Sequence, residues 1–236
     1  MRKQKRAFDL SAYLVIGPEN TLGRPVADIV REAVINGFSF VQLRSKTAEA
    51  RELIALSKEI ADVLMDIEIH QPVSFVINDR LDVVLAARDQ GIKIDGIHVG
   101  QTDIPPQVCR KYLGEAAVIG LSAPTSDLLE FVKTANLSDV DYLGAGPLHP
   151  TPTKAECGRQ PDGSIVTRNI EELRLLASLS PLPVVVGGGV KCQDLPKLAE
   201  TGVAGFFVIT AITEAGEPGR AAYEMKKCWE MKRQMK

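Results

Sequence analysis

The chain has 236 residues, 45% of them hydrophobic and 25% charged, a globular composition that excludes disordered and low-complexity classes. Its 28 Lys and Arg against 30 Asp and Glu leave a net charge of -2, which gives no electrostatic reason to bind nucleic acid or an anionic membrane. No apolar run reaches the roughly 18 residues that a membrane helix needs.

The basic start Met1 to Arg6 runs into Phe8-Asp-Leu-Ser11 rather than an uninterrupted apolar stretch. Residues 1–10 therefore read as a flexible tail and not as a signal peptide. The four cysteines, Cys109, Cys157, Cys192 and Cys228, are widely spaced and form no C-x-x-C. That argues against a disulfide scaffold or zinc site and for a reduced, cytoplasmic protein. His70, His98 and His149 are equally scattered, and each reads as an ordinary packing or surface residue.

One alternation organises the chain. Ala12 to Ile16 is a short apolar run closed by Gly17-Pro18, a strand by length and punctuation. Val26, Ile29, Val30, Ala33 and Val34 then fall on one helical face, which Asn36-Gly37 ends. Strands follow at Phe40 to Arg44, Val73 to Asn78, Gly96 to Val99, Ala117 to Ser122, Tyr142 to Ala145, Val184 to Val186 and Gly205 to Ile209. Helical periods lie between them and after the last, where Ala221, Met225, Cys228 and Trp229 share a face. Eight such units predict one (β/α)8 barrel domain over residues 1–236, near the usual barrel size of about 250. An open doubly wound sheet is the alternative, but no G-x-G-x-x-G follows the first strand. The longest segment without a hydrophobic period runs from Pro147 to Arg168, and long loops in compact domains are usually functional.

In a barrel, chemistry sits at the C-terminal ends of the strands. Strand two ends in Gln42-Leu-Arg44-Ser-Lys46, and strand three in Asn78-Asp79-Arg80. Strand four runs into Gln101-Thr-Asp103 and strand five ends in Ser122. Strand six leads through Gly146-Pro147 to Thr151-Pro-Thr153-Lys154. Strand seven ends in Gly187-Gly-Gly189 and strand eight in Ile209-Thr210. The glycine turn and the end of strand eight occupy the position where barrels bind phosphate through backbone N–H groups. Asp79 and Asp103 are hard oxygen ligands suited to Mg²⁺ held jointly with a substrate phosphate; the alternative is that each caps the helix it precedes. Arg44, Lys46 and Lys154 add cations suited to a polyphosphate. A Schiff-base lysine is the competing use, but both lysines stand in polar stretches that would not desolvate them.

At these residues the sequence resembles the thiamine-phosphate synthase family. The matching segments are Val41 to Lys46, Ile77 to Arg80, Gly96 to Asp103, Ile119 to Ser122, Asp141 to Pro147, Pro150 to Lys154, Pro183 to Val190 and Gly205 to Ile212. They are collinear over almost the whole chain. The resemblance implies a barrel transferase that joins 4-amino-5-hydroxymethyl-2-methylpyrimidine diphosphate to 4-methyl-5-(2-phosphoethyl)thiazole, giving thiamine phosphate and diphosphate. It implies that Gln42, Arg44, Lys46, Asn78, Ser122 and Lys154 hold the pyrimidine diphosphate, with Arg44, Ser122 and Lys154 acting in catalysis. It implies Mg²⁺ on Asp79 and Asp103. The thiazole phosphate would lie on Thr151 to Thr153, Gly189, Ile209 and Thr210. Small-molecule substrates are the expected partners, and a homo-oligomer is compatible with the sequence.

The chain departs from the family pattern at Gly187, where an Ile is common, at Thr210, where Ser is usual, at Ala123-Pro124 in place of Thr-His, and after Lys154. Two rival readings remain at this stage: a thiazole tautomerase-like isomerase of the same superfamily, and a non-catalytic sensor of phosphate ligands. Neither needs all of Arg44, Lys46, Asp79, Asp103 and Lys154. A phosphosugar isomerase or aldolase would want a catalytic Glu, His or desolvated Lys, and His98 is the lone candidate, read here as a packed mid-strand residue.

Overall fold

Period-two alternation determines how this chain closes on itself. In the computed structural model, which describes residues 7–67, 72–124, 126–151, 158 and 165–231, eight strands form a closed barrel in sequence order. They are β1 (Ala12–Ile16), β2 (Phe40–Leu43), β3 (Ser74–Asn78), β4 (Gly96–Val99), β5 (Val118–Ser122), β6 (Tyr142–Ala145), β7 (Val184–Val186) and β8 (Gly205–Val208). Every adjacent pair is parallel, and β8 returns to β1 through Tyr13 opposite Phe207.

Successive side chains point to opposite faces, and the two faces differ in kind. Leu14, Ile16, Val41, Leu43, Phe75, Ile77, Ile97, Val99, Ile119, Leu121, Leu143, Val184, Val186 and Phe206 belong to an outer core shared with the helices. Tyr13, Val15, Phe40, Val76, Val118, Tyr142 and Val185 form a separate cluster inside the barrel, with Phe8 and Phe207 packed against it. Aromatic rings dominate that interior. Tyr13 lies 4.5 Å from Phe40, and Phe40 lies 5.4 Å from Tyr142 edge-on, between ring centroids.

Large rings need small neighbours. A methyl group built on Gly120 would overlap the Tyr142 ring and His98 Nδ1, and one on Gly187 would overlap the Phe207 ring. Inward glycines on β5 and after β7 therefore make room for aromatic residues that fill the barrel.

The helices are α1 (Val26–Ile35), α2 (Ala50–Asp66), α3 (Leu81–Asp89), α4 (Pro106–Leu113), α5 (Leu128–Thr134), α6 (Ile170–Leu179), α7 (Leu195–Ala199), α8 (Thr210–Thr213) and α9 (Pro218–Glu230). The stripe that predicted α1 is the stripe it buries: Val26, Ile29, Val30, Ala33 and Val34. Helix α6 starts where Asn169 accepts a hydrogen bond from the Glu172 N–H, a cap of about 1 kcal/mol. Two 3-10 turns, Pro18–Asn20 and Cys192–Asp194, and the single turn α8 are additions to the predicted pattern. The eighth strand ends at Val208, so Ile209 is the N-cap of α8 and Thr210 its first residue, and neither belongs to the strand. Among the described residues, no helix is long and apolar enough to cross a membrane.

The N-terminal end of the barrel is held by a buried ion pair. Arg110 of α4 lies 2.6 Å from Asp141, with both side chains under a tenth exposed. Arg110 also donates to the Ala117 carbonyl, while Asp141 accepts from the Ile119 N–H.

Candidate active site

The C-terminal ends of β2 to β5 bring the predicted polar residues together. Gln42 faces the barrel interior, buried, and donates its amide to the Tyr13 hydroxyl. Arg44 follows the last residue of β2, half-buried. Lys46 reaches across to β3, its ammonium 2.7 Å from Asp79 Oδ2. The same carboxylate oxygen accepts a hydrogen bond of 2.6 Å from the Asn78 amide.

Asp79 has φ near 60°, the left-handed region that aspartate tolerates better than most residues. Its N–H donates to the His98 carbonyl, tying β3 to β4. Burial raises the Asp79 pKa above the ordinary aspartate range, and the facing carboxylate of Asp103 adds to the rise while Lys46 opposes it. Asp79 and Asp103 thus lie close enough to feel each other, and a cation between them would relieve the repulsion. Asp103 accepts a hydrogen bond of 2.7 Å from the Gly100 N–H, fixing the loop after β4.

The helix-capping alternative for these acids does not survive. Arg80 stands at the N-cap of α3 and Pro105 at that of α4, and neither makes a side-chain cap. Among the described residues no three His, Cys, Asp or Glu cluster as a metal site; Asp79 and Asp103 are a pair.

Ser122 ends β5 with its hydroxyl 3.0 Å from His98 Nε2. Gln101 donates to the Ser122 carbonyl at 2.6 Å. His98 is buried, as a mid-strand residue should be, but it does more than pack: its Nδ1 lies 2.9 Å from the Tyr142 hydroxyl.

On the other side of the mouth, Gly188 and Gly189 both have positive φ, 81° and 69°. Two left-handed residues in succession turn the chain sharply after β7, a conformation open to glycine. The turn packs on the loop after β6, where the Leu148 and His149 N–H groups donate to Gly188. A methyl group on Gly189 would sit 2.9 Å from His149 Cβ. His149 in turn meets Asp194 at 2.9 Å. Ile209 and Thr210 are half-buried at the start of α8. A short extra helix after strand eight beside the loop of strand seven is the usual phosphate corner of a barrel. Thr151 is half-buried on the loop after β6. Thr153 and Lys154 lie outside the described residues, as do His70 and Cys157.

Two organising residues are not legible as functional from spacing alone. Glu19, in the turn after β1, accepts from Ser45 Oγ, the Lys46 N–H and Thr47 Oγ1, at 2.5, 2.8 and 3.1 Å. Burial works against its ionisation, but these hydrogen bonds prevail and hold its carboxyl below the ordinary range. It thereby orders the loop that carries Lys46. Arg168 closes the long loop after β6: its N–H donates to the Pro147 carbonyl and its guanidinium pairs with Glu172 at 2.6 Å.

A phosphate corner opposite two acids and a cation, at one mouth of a barrel, suits joining two phosphorylated substrates. The model of thiamine monophosphate synthase matches residues 12–212. The chain belongs to that family. It is similar to the thiamine-phosphate synthase of Corynebacterium efficiens, 40% identical over 89% of this chain and 90% of the relative. The thiamine-phosphate synthase of Corynebacterium jeikeium is 38% identical over 90% and 91%. Among solved structures, the thiamine phosphate pyrophosphorylase from Pyrococcus furiosus superposes with a TM-score of 0.73 at 28% identity, covering 94% of this chain and 96% of that one. The protein is a transferase of thiamine biosynthesis that makes thiamine phosphate from the pyrimidine diphosphate and the thiazole phosphate. The isomerase and sensor readings receive no support.

Proposed function

We propose that the two substrates divide the barrel mouth between them. Gln42, Arg44, Lys46, Asn78, Ser122 and Lys154 hold the pyrimidine diphosphate. Thr151, Thr153, Gly189, Ile209 and Thr210 hold the thiazole phosphate. The observation that carries this reading is the separation of cation and carboxylates, on β2 to β4, from the glycine turn and α8, on β7 and β8.

The chemistry follows from the substrates. Loss of diphosphate leaves a methylene cation that the aminopyrimidine stabilises, and the thiazole nitrogen then attacks it. That nitrogen carries no proton, so no strong general base is needed, in keeping with His98 being engaged by Tyr142 and Ser122. Arg44, Lys46, Lys154 and the Ser122 hydroxyl stabilise the charge that grows on the departing diphosphate, an electrostatic contribution. Asp79, whose carboxyl pKa is raised by burial and by the neighbouring Asp103 carboxylate, fits with Asp103 one Mg²⁺ held jointly with the diphosphate. That ion would neutralise part of the leaving group's charge. The reaction belongs in the cytoplasm, where both substrates are small solutes.

The test is formation of thiamine phosphate and diphosphate from the two substrates, with Mg²⁺ and with a chelator. Product formation that stops with the chelator and returns with Mg²⁺ is expected; product at an unchanged rate without a divalent ion overturns the metal assignment.

A further inference from the structure

A continuous chain of hydrogen bonds crosses the barrel interior beneath this site. Gln42 on β2 donates its amide to the Tyr13 hydroxyl on β1. Tyr13 and Tyr142, on β6, have their hydroxyls 2.9 Å apart. Tyr142 reaches His98 Nδ1 at 2.9 Å, and His98 Nε2 reaches Ser122 Oγ at 3.0 Å. Tyr13, Gln42, His98 and Tyr142 are all buried.

Donor counting gives the chain a direction. The Gln42 amide nitrogen donates and does not accept. Tyr13 therefore receives that bond and spends its own proton on Tyr142. Tyr142 in turn spends its proton on His98 Nδ1. Both phenols stay protonated, since burial holds their pKa values above the ordinary tyrosine value. A histidine that accepts at Nδ1 carries its proton at Nε2 and donates it to Ser122 Oγ. The Ser122 proton is then directed away from His98, available to an anion. Reversing the Gln42 amide reverses every link: Tyr13 would donate to its carbonyl, and Ser122 would donate to His98.

We infer that Gln42, Tyr13, Tyr142 and His98 form a polarised relay of positioning residues that sets the direction of the Ser122 hydroxyl, so that pyrimidine recognition at Gln42 and diphosphate recognition at Ser122 are coupled through the barrel interior. This rests on the substrate placement proposed above. An aminopyrimidine whose amino group donates to the Gln42 carbonyl holds the Gln42 amide toward Tyr13. That orientation makes Ser122 a donor to the diphosphate of the same molecule. Gly120 is part of the device, because a methyl group there would occupy the space in which Tyr142 meets His98.

The direct readout is the tautomer of His98, from long-range proton–nitrogen correlation spectra of protein labelled with ¹⁵N-histidine, free and with pyrimidine diphosphate. The Nε2–H form is expected in the wild type with substrate. Gln42→Glu, which presents only acceptors to Tyr13, should convert it to Nδ1–H. Tyr142→Phe should abolish the preference and lower kcat about tenfold, with the KM for thiazole phosphate unchanged. Ser122→Ala should then cost far less in the Tyr142→Phe background than in the wild type, since linked groups are not additive. An Nδ1–H wild type with substrate, a tautomer indifferent to Gln42→Glu, or strict additivity overturns the relay. The underlying placement fails separately: it does so if Gln42→Ala and Ser122→Ala bind pyrimidine diphosphate as tightly as the wild type, whatever the tautomer.

Discussion

Lys46, on the loop after β2, and Asp79, at the end of β3, are joined by an ion pair of 2.7 Å, and the Asp79 carboxyl is the more enclosed partner. A cation is thus already matched to this carboxylate before any metal is considered. A metal held as proposed would compete with the ammonium for Asp79 and would leave Lys46 to the diphosphate. Lys46→Ala should therefore bind Mg²⁺ more tightly than the wild type when diphosphate is absent, yet bind pyrimidine diphosphate more weakly when Mg²⁺ is present. Calorimetry reads both. Weaker metal binding by Lys46→Ala in both conditions would contradict the exchange.

Gly189→Ala places a methyl group against His149 at a backbone φ of 69°, which costs a non-glycine residue roughly 1–2 kcal/mol. The damage falls on the phosphate corner. The KM for thiazole phosphate should rise about tenfold, a binding loss of roughly 1.4 kcal/mol, while the KM for pyrimidine diphosphate stays within a factor of about two. Equal rises for both substrates would place Gly189 elsewhere in the reaction.

Lys154 is proposed to act on the departing diphosphate. An interaction that strengthens only as charge develops lowers kcat when it is removed. Lys154→Ala should reduce turnover at saturating substrates by roughly 10²–10³, the scale of one lost anion-stabilising donor. Unchanged kcat would make it a solvated loop lysine.

The Arg110–Asp141 pair sits at the opposite end of the barrel from the chemistry. Arg110→Ala strands a buried carboxylate without its ion-pair partner. Such a loss costs about 3–5 kcal/mol. Denaturant unfolding should show this loss, while kcat per folded molecule remains that of the wild type. A proportionate fall in kcat would mean that the two ends of the barrel communicate.

The barrel was legible in the sequence because its strands are short apolar runs closed by turn residues, as in Ala12 to Ile16, and alternate with helical periods such as that of α1. The sequence placed the polar residues at one mouth for the same reason, since strand ends are marked by the end of those runs. What it hid depends on dihedral angles and on contacts between distant strands. For Asp79 the sequence left a metal ligand and a helix cap as alternatives, and its left-handed φ and the position of Arg80 remove the second. His98 read as packed because burial and hydrogen bonding at both ring nitrogens look alike in a strand pattern; the contacts come from Tyr142 and Ser122, 44 and 24 residues away. Helix α8 is too short to show a period. Glu19 is an ordinary surface acid until the turn after β1 brings it under the Lys46 loop.

The central claim is that Asp79 and Asp103 hold one metal ion together with the substrate diphosphate. Its most direct test is calorimetric titration of pyrimidine diphosphate, with and without Mg²⁺, into the wild type, Asp79→Asn, Asp103→Asn and the double variant. Linked binding is reciprocal, so Mg²⁺ should tighten diphosphate binding to the wild type. Each single variant should lose most of that gain, and the double variant should lose little more, because one ion serves both acids. A wild-type affinity indifferent to Mg²⁺, or strictly additive losses, would contradict the shared metal.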